Sequence, residues 1–106
     1  HHAGAFPVWL APVQAAVLPI NEKVRSYCAD VIQKLRGQDL RVSLDERNET
    51  IGKKIREAEL QKIPYLLIIG EREVAAKTIS VRERGTGDRG QMTFDAFLGM
   101  IQKLTP

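Results

Sequence analysis

Short apolar runs alternate along this chain with stretches where apolar residues recur every three or four positions. Val13 to Leu18 is an almost unbroken apolar run closed by Pro19. A run of that kind suits a strand buried on both faces of a sheet. Val24, Tyr27, Cys28, Val31, Ile32 and Leu35 then fall at i, i+3, i+4, i+7, i+8 and i+11, one stripe of an amphipathic helix. Asn21 is a suitable N-cap for that helix and Gly37 a suitable stop. Leu40, Val42 and Leu44 alternate with Arg41 and Ser43, which predicts a second strand. Asp45 to Glu49 is a polar turn. Thr50 then caps a second helix with Ile51, Ile55 and Ala58 inward, limited by Pro64.

The second half repeats the same grammar. Tyr65 to Ile69 is an uninterrupted apolar strand, expected at the centre of the sheet and closed by Gly70. Residues 71–77 form a turn or short helix. In Thr78 to Arg84, Ile79 and Val81 face one way while Thr78, Ser80, Arg82 and Arg84 face the other. The glycine-rich stretch from Gly85 to Gln91 reads as a hairpin into a short edge strand. Thr93 caps a last helix, with Phe94, Phe97, Leu98, Ile101 and Leu104 inward. The order is β-α-β-α-β-β-α. Strand–helix–strand units give parallel strands with right-handed crossovers, and the late strand without a crossover gives an antiparallel edge. The expected fold class is therefore α/β, a mixed sheet of four or five strands covered by three helices. Residues 1–12 show no period and carry Gly4, Pro7 and Pro12, so they are expected to be a linker to a domain spanning 13–106. Phe6, Val8, Trp9 and Leu10 are too apolar for a free tail and should pack against something.

Composition narrows the function classes. A chain of 106 residues makes one domain, and a multi-step enzyme with its own cofactor domain does not fit into it. Apolar residues at 43% and charged residues at 27% are those of a folded soluble domain. The net charge of +3 permits an anionic partner without making an electrostatic funnel. The single cysteine, Cys28, excludes an internal disulfide, which points to a reducing, cytoplasmic compartment; its place on the helix stripe reads as an inert core thiol. No apolar run reaches the roughly 18–20 residues of a membrane span, and no secretory signal is visible.

Several motif matches dissolve on inspection. Gly85-Thr86-Gly87-Asp88-Arg89-Gly90 fits G-x-G-x-x-G literally, but no strand–helix–strand unit follows it. The stretch ending at Lys77-Thr78 has the wrong spacing for a phosphate loop. His1 and His2 are adjacent and terminal, so they assemble neither a metal site nor a catalytic triad. Two polar features remain. Asp45-Glu46-Arg47-Asn48-Glu49 follows a parallel strand, at the sheet edge where ligands bind open α/β sheets, although a solvated turn explains it as well. Arg82 and Arg84 share a polar strand face, and arginine reads guanine through O6 and N7. Residues 71–91 hold five basic and four acidic residues, so this surface is suited to base edges more than to phosphates.

Four stretches, Ala3–Gln14, Asp45–Ala58, Lys62–Gly70 and Ile79–Arg84, together resemble the C-terminal anticodon-binding domain of threonyl-tRNA synthetases. The resemblance covers essentially the whole chain in the right order. Phe6-Pro7-Val8-Trp9-Leu10-Ala11-Pro12-Val13-Gln14 is similar to the junction leaving the class II catalytic domain. The synthetases for histidine, proline and glycine share the domain but match that run less well. The resemblance implies a five-stranded mixed sheet with three helices that grips the anticodon loop of threonine tRNA and reads its second-position guanine and third-position uracil. The family's base-reading positions fall on Asn48, Arg56, Glu73 and Arg82, all with the family's identities. Arg82 would read the guanine; Asn48, Arg56 and Glu73 would surround the uracil, with Glu73 acting through its backbone. Lys53, Lys54 and Arg84 are candidates for phosphate contacts. The resemblance further implies that ATP, threonine and zinc belong to an upstream catalytic domain, that this chain holds no cofactor or metal and is catalytically inert alone, and that the parent enzyme is a homodimer. A protein-interaction module of the same fold, as in synthetase-like accessory proteins, is the alternative.

Overall fold

A computed structural model describes residues 7–103. Five strands form one sheet in the order β2-β1-β3-β4-β5, built from β1 (Ala15–Pro19), β2 (Val42–Leu44), β3 (Tyr65–Ile69), β4 (Ile79–Glu83) and β5 (Gly87–Met92). Strands β2, β1 and β3 are parallel, and β4 and β5 continue the sheet as an antiparallel hairpin. The mixed five-stranded α/β sheet is thus present, with β3 at its centre. Three helices of some length, α1 (Arg25–Arg36), α2 (Ile51–Leu60) and α4 (Phe94–Gln102), are joined by a short one, α3 (Glu71–Ala76), in the stretch where a turn or short helix was expected.

The caps anticipated from side-chain chemistry are made. Thr50 accepts from the Lys53 amide and Thr93 from the Ala96 amide, each satisfying an orphan donor of a first helical turn. Asn21 accepts from the Lys23 amide, but the turn it caps is a 3₁₀ segment, Glu22–Val24, that leads into α1. Gly37 ends α1 without adopting the left-handed conformation of a glycine stop; Asp39 takes it instead, at φ 63°. Leu40 precedes β2 rather than starting it.

The sheet has two unequal faces. On one, Val17, Tyr65, Leu67, Ile69, Ile79 and Val81 pack under α1 and α4 in the main core. Tyr65 and Phe97 meet edge to face at 5.5 Å, an arrangement aromatic quadrupoles favour. Cys28 is fully buried here and burial pushes its thiol up to about 11, so it is an inert core thiol. On the other face, Ala16, Leu18 and Leu66 pack with Ile63 and with Ala58, Ile51 and Ile55 around α2. That second cluster contains no residue of β4 or β5, although Arg82 pairs with Leu66 and Ser80 with Ile68 along the strands. This half of the face carries polar side chains with no helix of the second cluster above them.

The segment expected as a linker is held on the domain from Pro7 onward. Val8–Leu10 forms a 3₁₀ turn. The Arg41 guanidinium donates to the carbonyls of Trp9 (2.9 Å) and Ala11 (2.8 and 3.0 Å), and the Gln14 amide donates to Val8 (3.1 Å). Trp9 and Leu10 nonetheless stay 40% and 51% exposed. His1, His2, Phe6 and Leu104 lie outside the described residues.

Candidate nucleic-acid interface

The carboxyl ends of the parallel strands open onto two adjoining clefts. Right-handed crossovers put α1 and α2 on opposite faces and leave this edge to loops, which is why open α/β sheets bind ligands there. Ile20 and Asn21, just after β1, line both clefts. The larger, of about 480 Å³, is bounded by Ile68, Gly70, Glu73, Ser80, Arg82 and Asp88. The smaller, of about 160 Å³, is bounded by Glu46, Arg47, Asn48, Glu49 and Lys54.

Arg82 reaches the larger cleft because alternation along β4 buries Ile79 and Val81 and turns Ser80 and Arg82 to the opposite face. Its Nε atom is buried and has no hydrogen-bond partner. No carboxylate among the described residues pairs with it, whereas Arg89 pairs with Glu83 and Arg72 with Glu73. A buried guanidinium donor without an acceptor is costly, and such exceptions call for a functional account.

Glu73 lies in the same cleft but is only 4% exposed. Its Oε1 accepts from the Gly70 amide at 2.7 Å, reaching back to the N-cap as in half of a capping box. Its Oε2 accepts from the Ser80 hydroxyl at 2.8 Å and from Arg72 Nε at 3.4 Å. Burial would raise its pKa, but the bonds from Gly70 and Ser80 outweigh that and hold the carboxyl below the ordinary 4.5. The carboxylate is therefore already satisfied inside the protein. Its work is to tie α3 to β4, and its backbone carbonyl is used as well, accepting from the Thr78 amide at 2.9 Å.

Asn48 sits in the smaller cleft, on the loop between β2 and α2. Its neighbours are paired: Arg47 makes a two-pronged bond to Asp45 (2.9 and 2.8 Å) and also binds Glu57, and Lys53 pairs with Glu49 at 3.1 Å. Asn48 is exposed and takes part in none of these pairs. The two-pronged bond from Arg47 holds Asp45 below its ordinary pKa. Arg56 is exposed on α2 and lines neither cleft. The structure thus brings Glu73 and Arg82 together, places Asn48 next door, and leaves Arg56 outside.

Two groups escaped the reading of the sequence. Asp88 borders the Arg82 cleft beside Ser80, and only strand pairing could reveal it, since it lies opposite Arg82 on β5. Lys54, expected at the surface, is 4% exposed and donates to the carbonyls of Pro19 (3.0 Å) and Asp45 (3.1 Å). A signal existed: Ile51, Lys54, Ile55 and Ala58 fall at i, i+3, i+4 and i+7, so the lysine occupies the apolar stripe of α2. Among the described residues no group of histidine, cysteine and carboxylate side chains is placed to hold a metal ion, and no helix is long and apolar enough to cross a membrane.

A mixed sheet with an open polar half-face and an unpartnered arginine at its ligand-binding edge is the architecture of a binding domain. The anticodon-binding domain family matches residues 14–104, and the chain belongs to it. It is 56% identical over 97% of its length to the threonine–tRNA ligase of Caldanaerobacter subterraneus subsp. tengcongensis and 50% identical, again over 97%, to that of Clostridioides difficile. It superposes with a TM-score of 0.91, at 36% identity over 98% of the chain, on the RNA-binding domain of threonyl-tRNA synthetase from Cryptosporidium parvum Iowa II, covering 26% of that chain. The chain spans about 16% of the length of the two ligases. Its 106 residues correspond to the anticodon-binding domain alone, without the catalytic domain.

Proposed function

We propose that this chain binds the anticodon loop of threonine tRNA for a threonine–tRNA ligase and reads the second and third anticodon bases. The observation that carries this reading is the buried, unpartnered Nε of Arg82 in a cleft walled by Ile20 and Ile68. A guanine edge supplies two acceptors for a guanidinium, and the isoleucines supply an apolar wall for the base. With Arg72 and Arg82 set against Glu71, Glu73 and Asp88, the cleft has no surplus of positive charge to attract phosphates. Asn48, in the adjoining cleft, pairs with the third-position uracil. Glu73 shapes the passage between the two bases through the α3 backbone. Arg56 approaches the RNA from outside the clefts.

Residues 1–12 are assigned as the connection to the catalytic domain of a cytoplasmic, homodimeric ligase, and 13–106 as the binding domain. That catalytic domain holds the ATP, threonine and zinc sites; this domain needs no cofactor. The 56% identity to a threonine–tRNA ligase over 97% of this chain but only 16% of that ligase supports the reading, as does the apolar exposure of Trp9 and Leu10.

The test is binding of anticodon stem-loops carrying G or A at the second position to the chain and to Arg82→Ala. The variant is expected to lose about 1–3 kcal/mol with G and to discriminate less between the two. Equal losses with both stem-loops would refute the assignment.

A further inference from the structure

We infer that Lys54 is the positioning residue for reading the third anticodon base, acting through the loop that carries Asn48; this rests on the function proposed above. Lys54 leaves the apolar stripe of α2 and places its ammonium between two strand exits. One bond goes to the Pro19 carbonyl, at the end of β1, and one to the Asp45 carbonyl, directly after β2. The residues that follow these exits line the smaller cleft, Ile20 and Asn21 after β1 and Glu46 to Glu49 after β2. A single buried side chain therefore bridges the two exits beyond the last backbone bond between them, Asp45 to Val17 (3.0 Å), where the chain opens into the cleft that holds Asn48.

Several features show why an ammonium stands there. Both partners are carbonyls, which only a donor can satisfy, and a lysine offers three N–H groups on one atom. No carboxylate among the described residues pairs with Lys54; Asp45 spends its side chain on Arg47 and offers Lys54 only its backbone. The other side-chain bonds of the loop, Arg47 to Asp45 and Lys53 to Glu49, lie within it or tie it to α2; its first residue also donates its amide to the Val17 carbonyl of β1 (3.0 Å), and Lys54 is the side chain that adds a second link to β1, at Pro19. The Arg82 cleft has no such dependence. Arg82 is fixed by the β3–β4 register, and Glu73 by its own bonds to Gly70 and Ser80. Loosening Lys54 should disturb one base and spare the other.

The experiment compares Lys54→Met, Asn48→Ala and the double variant with the unaltered chain. Stem-loops differing at the third base (U or C) or the second (G or A) are titrated, and amide hydrogen exchange is followed across the chain. Lys54→Met is expected to lower third-base discrimination about tenfold and leave second-base discrimination within about twofold. Exchange should accelerate at residues 46–49 and stay unchanged in β3 and β4. The double variant should lose no more third-base discrimination than Asn48→Ala, because both changes remove the same contact. Should Lys54→Met fail to fold, Lys54→Gln, which keeps donors but not the ammonium's reach, is expected to show the same split in milder form. Parallel loss at both bases, additive losses in the double variant, or unchanged exchange at 46–49 would overturn the assignment to Lys54 while leaving Asn48 in place. Full third-base discrimination in Asn48→Ala would instead overturn the underlying reading, and the role of Lys54 with it.

Discussion

Arg82 and Asn48 lie on either side of the wall formed by Ile20 and Asn21, and they are held there by different physics. Arg82 belongs to a strand, so its direction follows from alternation along β4 and from pairing with Leu66 on β3. Asn48 belongs to a loop with no regular backbone of its own. Its place depends on side chains: Arg47 bound to Asp45 and Glu57, and Lys54 clamped on two carbonyls. A sheet fixes a reader by backbone pairing shared with its neighbours. A loop needs dedicated bonds, each of which can be cut separately. The same contrast divides the two faces of the sheet, one closed under α1 and α4, the other left open over β4.

The strongest way to break the comparison is to remove what both sites share. Phe97 is fully buried against Tyr65 beneath the closed face. Phe97→Ala should cost about 3–5 kcal/mol of folding stability, through lost transfer energy and the cavity left behind. Denaturant titration measures this, and the two clefts should fail together as the domain unfolds.

Arg82 sharpens the contrast next. Arg82→Met removes a buried donor that has no partner, so stability should stay within about 0.5 kcal/mol or rise, even as guanine discrimination falls. A clear loss of stability would mean that the side chain has an internal partner instead of an external one.

Glu73 tests whether the strand-side cleft is built by internal bonds. Glu73→Gln should cost about 1 kcal/mol near neutral pH, because the buried carboxylate accepts charge-assisted bonds from Gly70 and Ser80. The sign with pH follows from its lowered pKa. The unfolded chain takes up the proton first, so the stabilisation is fully present above the ordinary 4.5 and is lost as pH falls through the depressed folded value. Thermal melting from neutral pH down past 4.5 should therefore fall less steeply in the variant than in the unaltered chain.

The smallest effect is expected at Arg56, which lines neither cleft. Arg56→Ala should weaken stem-loop binding by a similar factor for all base identities and lower the salt slope by about 1. A selective loss with uracil would bring Arg56 into the third-base site after all.

Much of this molecule was legible in its residues. The stripe from Val24 to Leu35, the apolar run Tyr65–Ile69 and the threonines at 50 and 93 specify helix, strand and caps by local chemistry, and the structure contains each of them. Those features depend on neighbours a few positions apart, so periodicity exposes them. The identity of Arg82 as a polar strand residue opposite Ile79 and Val81 was visible for the same reason. What tertiary structure alone decided is which polar groups are spent and which are free. Glu73 and Lys54 carry charges that composition assigns to the surface, yet both are buried and saturated, one by Gly70 and Ser80, the other by Pro19 and Asp45. Arg82 has the same formal charge as Arg47, Arg72 and Arg89, but only the arrangement in space shows that those three are paired and that its Nε is not. A side chain's type is local information, whereas its partners come from strands and loops distant in the chain, and the balance of satisfied and unsatisfied donors exists only after they have been brought together.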